Sequence, residues 1–456
     1  MSQDADDRLA AKAYCGVLVA GLLLSLAANL PGHMSVDSVI ALEQARTGVR
    51  QTWAPAAFSW VLGLFDGRLP GAALYVAASS AMLFGALMSL PALRRRSSWA
   101  AVGLAVLVVL TPQALIYQGI VWRDVLFANL TLAGFVLLAR ADLLWAERRA
   151  WGSLAGAAFC LALGAAVRQN GVVLVLAAAV ALAWSARGGG RRAMLGWGVG
   201  GFVLTSALAL ALTGLAKPAQ SVPHLRPGAE ALILQHYDIV GAVAHDPGLP
   251  LTEIARANPA AAARIAAQGP RIYSASRVDT LDLDPEFRRT LWKLPDAAVG
   301  AQWRDLILHH PGAYLAHRLD VFGWLLLTPD LSRCLPVQVG VVGPPDMLEE
   351  LEIDSAPQPK DAALRSYAAM FYGTPVYSHL SWALVAAVCA VLLLIRRQRA
   401  DTTMAALLVG ALAFTASFLV ISVACDYRYL YLLDLAAMTG VLYLALDLSG
   451  FRRPRP

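Results

Sequence analysis

Charged residues are scarce in this chain: they make up 15% of its 456 residues, whereas hydrophobic residues make up 58%. An ordinary soluble domain has about 25% charged and about 45–50% apolar residues. The mean hydropathy is +0.57. This balance excludes a disordered chain, a coiled coil and an ordinary cytosolic enzyme. The long apolar runs instead predict one large unit embedded in a membrane.

Cysteine is also rare, and the five cysteines are Cys15, Cys160, Cys334, Cys389 and Cys425. Three of them lie inside apolar runs, where a free cysteine behaves as a small core residue. No Cys-x-x-Cys or Cys/His spacing indicates a metal site. The other two, Cys334 and Cys425, are a candidate disulfide pair if both face an oxidising compartment.

Basic stripes interleaved with aromatic residues are missing, so the net charge of +6 does not point to a nucleic-acid partner. The arginines fall instead in short clusters between apolar stretches, which is typical of the cytoplasmic loops of membrane proteins. Five such clusters lie at 94–96, 148–149, 187–192, 396–399 and 452–455.

A membrane-spanning helix needs about 20 mostly apolar residues. The sequence predicts an all-α polytopic membrane protein with about ten such helices, among which 151–167 and 171–186 are short. The predicted spans are 11–30, 70–93, 99–118, 125–145, 151–167, 171–186, 193–216, 378–396, 401–424 and 428–448.

All five basic clusters can be cytoplasmic, since two predicted spans separate each cluster from the next. Both termini are then cytoplasmic as well. This topology requires that the apolar stretch 313–328 does not cross the membrane. Arg318 and Asp320 interrupt that stretch, so we predict an interfacial or re-entrant helix there.

These patterns divide the chain into three parts. Residues 1–216 form an N-terminal transmembrane bundle with functional outer loops. Residues 217–377 form a largely helical region outside the cytoplasm, and residues 378–456 form the C-terminal transmembrane helices. A glycine-rich segment at 196–201 is not preceded by a strand, so it indicates helix packing and not a nucleotide loop.

Charged and polar residues interrupt or border the apolar runs at four places. Ionisable groups at membrane depth are costly, so they usually have a function. The topology was fixed from the cytoplasmic arginines alone, and it places all four groups on the outer face. The residues are Asp37 after the first span, Arg123 and Asp124 before the fourth, Arg168 and Asn170 between the two short spans, and Asp426, Arg428 and Tyr429 at the last span.

The acidic residues of these groups have a structural and a functional interpretation. Asp37 could cap the helix that follows it, or it could act as a general base at the mouth of a membrane cavity. Arg123 and Asp124 could form an interfacial ion pair that anchors a span. His33, beside the same first loop, fits the role of a hydrogen-bonded loop residue better than a catalytic one.

The arginines likewise leave two interpretations open. Arg168 and Arg428 each present a planar fork that pairs bidentately with phosphate. Alternatively, they pair with Asp124 or Asp426, or extend to the lipid headgroups.

Taken in order along the chain, these residues resemble the C-type (GT-C) superfamily of integral-membrane glycosyltransferases, relatives of protein mannosyltransferases and bacterial aminoarabinose transferases. The segment HHPGAYLAHRLDVFGWLL also resembles the stretch after the large outer loop of bacterial members. Four elements carry the resemblance: Asp37 followed by Trp53 and Pro55, then Trp122-Arg123-Asp124, then Arg168-Gln169-Asn170-Gly171, and finally Asp426-Tyr427-Arg428-Tyr429.

The resemblance implies a reaction. A sugar would pass from a polyprenyl-phosphate donor to a hydroxyl of a glycan, lipid or protein acceptor, at the outer face of a bacterial inner membrane and within its lipids. Asp37 would act as the base, and Asp124 would hold the arginines or bind a metal. The donor phosphate would meet Arg123, Arg168 and Arg428, with Asn170, Asp426 and Tyr429 in support. The first loop has a single Asp instead of the pair seen in better-known members, which weakens the case for a divalent cation.

Other functions fit parts of the pattern. A transporter or flippase for a lipid-linked sugar would be expected to show repeated halves and charges on both sides of the membrane. An O-antigen ligase or polymerase also combines outer arginines with a large outer loop. In a non-catalytic scaffold, Asp37 and Arg428 would be replaceable. The placement of the charges on one face favours an enzyme.

Overall fold

The computed structural model describes residues 3–52, 54–145, 150–218, 220–222, 228–447 and 449. It is about 77% helical, which confirms the predicted all-α class. In the described ranges, paired strands are limited to β1 (Val49–Arg50), which lies parallel to β2 (Gln220–Ser221). Trp53 and the basic residues at 148–149 and 452–455 lie outside the described residues.

The chain folds as two compact units. The first comprises Met1–Ser221, Val337–Thr415 and Arg428–Pro456, and the second comprises Val222–Pro336 and Ala416–Tyr427. Up to residue 221, the helices are α1 (Gln3–Asn29), α2 (Val36–Thr47), α3 (Ala56–Asp66), α4 (Ala73–Met88), α5 (Trp99–Val109), α6 (Pro112–Leu115), α7 (Arg123–Leu144), α8 (Trp151–Val167), α9 (Val172–Ser185) and α10 (Gly190–Leu215).

In the described part of the chain, six α-helices lie between residues 222 and 336, and five follow them. The six are α11 (Ala229–His245), α12 (Thr252–Ala257), α13 (Pro259–Ile272), α14 (Pro285–Trp292), α15 (Asp296–His309) and α16 (Pro311–Leu327). The five are α17 (Pro345–Glu350), α18 (Pro359–Ala369), α19 (His379–Arg396), α20 (Asp401–Ile421) and α21 (Tyr431–Leu446).

Seven helical stretches of the described residues are long and apolar enough to cross a membrane, or eight if the bent pair at Trp99–Gly119 counts as one span. They indicate an integral membrane protein. The seven are Gln3–Asn29, Ala73–Leu93, Arg123–Leu144, Gln169–Leu215, His379–Arg396, Asp401–Ile421 and Tyr427–Leu446.

The predicted number of ten spans is not confirmed. The helix at 151–167 has 17 residues, which is short for a crossing. The stretch Gln169–Leu215 counts as one candidate, although α9 and α10 within it pack against each other.

Two helices form the interior of the first unit. In α7 and in the stretch that ends with α21, 89% of the most apolar window is buried. α7 packs against α4, α8, α9 and α21, and α21 also packs against α5 and α19. Both helices begin next to predicted site residues, Arg123 for α7 and Arg428 for α21. The bundle therefore surrounds two helices that have these charges at or just before their first residues.

The second unit has its own hydrophobic core. In it, α11 packs against α13, α15 and α16. The buried core includes Val240 of α11, Ile265 of α13 and Phe287 of α14. Cys334 and Cys425 of this unit form a disulfide. The pairing that the sequence left open is thus present.

A buried charge network in the second unit was not predicted. Asp238 of α11 forms an ion pair with Arg318 of α16. Both residues are buried, and so is the neighbouring His317. Asp238 also accepts from the Trp303 indole at 2.7 Å and contacts His317 Nε2 at 3.1 Å. Arg318, one of the two charged residues that interrupt the apolar stretch 313–328, therefore points into a protein core. The interfacial position of this stretch, now α16, stays a prediction.

Candidate functional site

The loop between α1 and α2 is held by backbone hydrogen bonds at His33 and Met34. His33 N–H donates to Gly119 and its carbonyl accepts from Val121, at 2.8 and 2.9 Å. Met34 N–H donates to Gly340 at 3.0 Å. Three segments that are distant in the sequence therefore meet just before α2.

The His33 ring is buried and bonded on both sides. Its Nδ1 accepts from the Gly340 N–H at 3.1 Å, and its Nε2 lies 3.0 Å from Asn29 Oδ1. Burial lowers the pKa of His33 to about 4. The charges of Lys360 and Arg365 also lower this pKa, whereas the charge of Asp361 raises it. His33 is thus a neutral, hydrogen-bonded loop residue near pH 7, as expected.

The residue that caps the start of α2 is Ser35, not Asp37. Ser35 has an extended backbone with φ −89° and ψ 173°, and its N–H donates to Ser38 Oγ at 3.2 Å. Asp37 is the second residue of the helix, where its negative charge favours the helix dipole. The interpretation of Asp37 as the helix cap is therefore wrong, and its carboxylate is available for another role.

Asp37 forms an ion pair with Arg428. Asp37 Oδ2 lies 2.6 Å from an Arg428 terminal nitrogen, with the side chains 62% and 13% exposed. The surrounding protein partly desolvates the Asp37 carboxylate, which raises its pKa. The charge and hydrogen bond of Arg428 and the charge of Arg123 outweigh this effect, so the pKa lies below its ordinary value. The carboxylate is thus ionised and partly open to solvent.

Aromatic rings cover the guanidinium of Arg428. It lies 5.0 Å from the centre of the Trp122 ring and 5.8 Å from that of Tyr429. Both distances are in the range of a cation–π contact. The Arg428 guanidinium therefore lies in a partly apolar setting, with Asp37 beside it.

A second ion pair joins Asp124 to Arg168, with side chains 2% and 9% exposed. Arg168 also donates to Asn170 Oδ1 at 3.3 Å. Its guanidinium lies 5.5 Å from the ring centres of both Phe414 and Tyr429. Of the open alternatives, the structure therefore has the pairing of Arg168 with Asp124.

The predicted groups converge within the first unit. Tyr429 contacts the guanidinium groups of both Arg168 and Arg428. The charge of Arg123 acts on both Asp37 and Arg168. Asp426 belongs to the second unit.

Sequence reasoning missed two contributors to this cluster. Ser35 was not singled out, although Ser before an apolar helix is a frequent start signal. Phe414 is one of many apolar residues of α20, and nothing in the sequence distinguishes it from the others.

A divalent cation does not fit these residues. The carboxylates of Asp37 and Asp124 each face an arginine, which takes the place that a cation would need. Across the described part of the chain, no three His, Cys, Asp or Glu side chains are grouped so that they could hold a metal ion.

A cavity of about 220 Å³ borders the same loop. His33 and Gly340 line one side of it, and Glu352, Lys360 and Asp361 line another. The loop that forms its wall continues directly into α2 and Asp37.

No family model matches the chain, and no curated protein and no solved structure is detectably similar to it.

Proposed function

We propose that this protein is a membrane glycosyltransferase that moves a sugar from a polyprenyl-phosphate donor to an acceptor hydroxyl, with Asp37 as the general base. One observation carries the proposal: an ionised, partly exposed carboxylate lies 2.6 Å from an arginine at the edge of an arginine cluster. A base and an anion site therefore lie side by side.

The charges of the cluster suit this donor. Arg123, Arg168 and Arg428 carry three positive charges, and Asp37 and Asp124 carry two negative ones. The excess of one positive charge matches the single negative charge of a sugar–phosphate–prenyl diester. Arginine forks bind such phosphate oxygens with two parallel hydrogen bonds.

The reaction keeps this balance. The acceptor hydroxyl gives its proton to Asp37 as its oxygen bonds to the anomeric carbon. The bond from that carbon to the phosphate oxygen breaks, and its electron pair stays on the phosphate. Asp37 is then neutral and the lipid phosphate has gained one negative charge, so the two changes offset each other. Arginines placed beforehand stabilise the charge that develops on the leaving group.

The low pKa of Asp37 limits when it can accept the proton. A carboxylate is a weak base toward a ground-state hydroxyl, so the transfer takes place as the hydroxyl becomes acidic in the transition state. A donor phosphate and Asp37 would also compete for Arg428. Donor binding would then loosen the ion pair and make Asp37 more basic when it is needed.

The remaining residues have supporting roles in this proposal. Asp124 and Asn170 hold the Arg168 side chain, and Tyr429 lies against both arginines. The acceptor is a glycan, a lipid or a protein, and the prenyl chain lies among the apolar helices in the bilayer.

The proposal includes a topology. We place the protein in a bacterial inner membrane with ten spans, both termini in the cytoplasm and the site facing the periplasm. The arginine clusters support this orientation. The disulfide between Cys334 and Cys425 supports an oxidising location for the region outside the cytoplasm.

Mass spectrometry of lipid-linked sugars and surface glycans tests the function, in cells that make the wild type, Asp37→Asn or no protein. Asp37→Asn keeps the shape but removes the base, so we expect a loss of about 100- to 10,000-fold in transfer. Donor lipid should accumulate, and one sugar should be missing from a glycan, at a normal protein level.

Asp346→Asn is the matched control. Asp346 is also the second residue of a helix, α17, and it is exposed. Both substitutions remove a charge from a first helical turn, so an effect confined to Asp37 cannot arise from the helix dipole. If Asp37→Asn matches the wild type while deletion changes the glycan, the proposed base is wrong and a transporter or ligase becomes the better explanation.

A further inference from the structure

Trp122 is connected to both members of the Asp37–Arg428 ion pair. The Arg428 guanidinium lies 5.0 Å from the centre of the Trp122 ring. The indole N–H of Trp122 donates to Ser35 Oγ at 2.9 Å. Ser35 is the N-cap of the helix that carries Asp37. One buried side chain therefore contacts the arginine through its face and the aspartate's helix through its edge.

The first turn of α2 is attached to the Trp122 segment at a second point. Ser38 Oγ donates to the Val121 carbonyl at 2.6 Å. The two hydrogen bonds involve Ser35 and Ser38, which lie on either side of Asp37 in the sequence. The first turn cannot rotate away from residues 121–122 without breaking both.

The Trp122 indole is held in place by Tyr117, which contacts the segment that follows Arg428. Tyr117 contacts the Trp122 ring edge-on, with ring centres 5.8 Å apart. Tyr117 in turn stacks on Tyr431, with ring centres 4.7 Å apart. Tyr431 is the first residue of α21 and follows Arg428 by three positions. The segment that carries Arg428 therefore also fixes the ring on which Arg428 rests.

We propose that Trp122 is a positioning residue that sets the separation and direction of Asp37 and Arg428. Its ring orients the guanidinium, and its N–H fixes the helical turn from which the carboxylate extends. The inference rests on the proposed function for the roles of these two partners, but the geometry does not depend on it. Trp122 contacts the reaction only through them.

Three variants separate the two contacts. Trp122→Leu removes the ring and the N–H, Trp122→Phe keeps an aromatic face but removes the N–H, and Ser35→Ala removes the acceptor. For Trp122→Leu we expect binding of C55 polyprenyl phosphate to weaken about 2- to 30-fold, the range of a cation–π contact. The turnover number should fall as well.

The hydrogen bond has a separate signature. Trp122→Phe and Ser35→Ala should each lower the turnover number about 2- to 10-fold while polyprenyl-phosphate binding changes less. The double variant Trp122→Phe/Ser35→Ala should have a turnover number no lower than that of either single variant, because the same hydrogen bond is missing in all three. These two variants also keep the test valid if Trp122→Leu does not fold.

A titration of the Asp37 carboxyl does not require sugar transfer, and it reports directly on how close Arg428 lies to Asp37. Carbon-13 on aspartate carboxyls can be followed by NMR in lipid nanodiscs, and subtraction of the Asp37→Asn spectrum assigns Asp37. Since Arg428 holds the pKa of Asp37 down, the midpoint should move to higher pH when Trp122→Leu releases the arginine. Trp184→Leu, which removes another ring under an arginine, Arg187 at 5.1 Å, should leave it unchanged.

The outcomes distinguish the two proposals. An Asp37 midpoint and a polyprenyl-phosphate affinity that both stay at wild-type values in Trp122→Leu overturn the positioning role, whatever the activity. A midpoint that moves, together with a wild type that transfers no sugar, supports the positioning role and defeats the proposed function.

Discussion

Asp124 and Arg168 form an ion pair in which both side chains are almost fully buried, 2% and 9% exposed. A pair of this kind stabilises a fold only while both members are present. Removal of one partner leaves a charge in a poorly solvated place, which typically costs about 3–5 kcal/mol.

A double-mutant cycle on this pair should therefore show strong coupling. We expect Asp124→Asn and Arg168→Gln to lower the free energy of unfolding by about 3 kcal/mol each, and the double variant by clearly less than their sum. Chemical unfolding in mixed micelles gives the measurement. The exposed pair Arg264–Glu286, 3.7 Å apart, is the control, and its cycle should show about 1 kcal/mol or less. Additive losses at Asp124 and Arg168 would contradict the buried pair.

Arg428 should contribute to donor binding through the shape of its fork as well as through its charge. We expect Arg428→Ala to weaken binding of C55 polyprenyl phosphate by about 10- to 100-fold, because hydrogen bonds between charged groups are lost. Arg428→Lys should be intermediate, since it keeps the charge without the planar fork.

The control for this binding series is Arg333→Ala. Arg333 also lies near a carboxylate, Asp330 at 3.4 Å, and over a tryptophan ring, Trp324 at 5.7 Å, but it is exposed. Isothermal titration or native mass spectrometry measures the affinity. Equal affinity of the wild type and Arg428→Ala would remove Arg428 from the donor site.

The acidic limb of the pH–rate profile should follow Asp37. The base must be ionised, so transfer falls as pH drops through its pKa, which lies below the ordinary value. In Arg123→Gln one of the charges that lower this pKa is gone, so the limb of kcat/KM should move to higher pH. Arg123→Lys keeps the charge and should keep the wild-type profile. A shift in the opposite direction would show that another group carries the limb.

Stability should depend on pH through His33. Its pKa is about 4 in the folded protein and about 6.5 in an unfolded chain. The unfolded state therefore binds more protons between these values, and stability falls as pH drops through them, by about 3 kcal/mol in all. Unfolding of His33→Gln should lack this component, whereas His309→Gln at an exposed site should retain it. If the stability of His33→Gln still falls with pH in this range, other groups cause the pH dependence.

Much of the candidate site followed from the sequence because charges stand out in apolar surroundings. Asp37, Arg168 and Arg428 were selected by their position at the borders of apolar runs, and they do meet in one unit. The sequence does not predict which carboxylate pairs with which arginine. The partner of Asp124 depends on how α7 and α8 are rotated against each other, and neighbours in sequence, such as Arg123, are a poor guide to that.

The same limit applies to the second unit. Arg318 is a charge in an apolar stretch, and the sequence alone predicts an interfacial position for it. Its partner Asp238 lies in the segment QHYDIVGAVA, where one carboxylate interrupts an apolar helix. Two such interruptions far apart in the chain are a signal of a buried pair, but only packing shows that they belong together.

The disulfide between Cys334 and Cys425 limits how many times the chain between these residues can cross the membrane. Two cysteines can bond only from the same side, so the chain between them crosses an even number of times. Two candidate spans, His379–Arg396 and Asp401–Ile421, lie between them. The bond thus closes residues 334–425, which include these two candidate spans, into one covalent ring. A protease site inserted in the turn between these spans would open the ring from one side of the membrane, and an impermeant thiol would open it from the other.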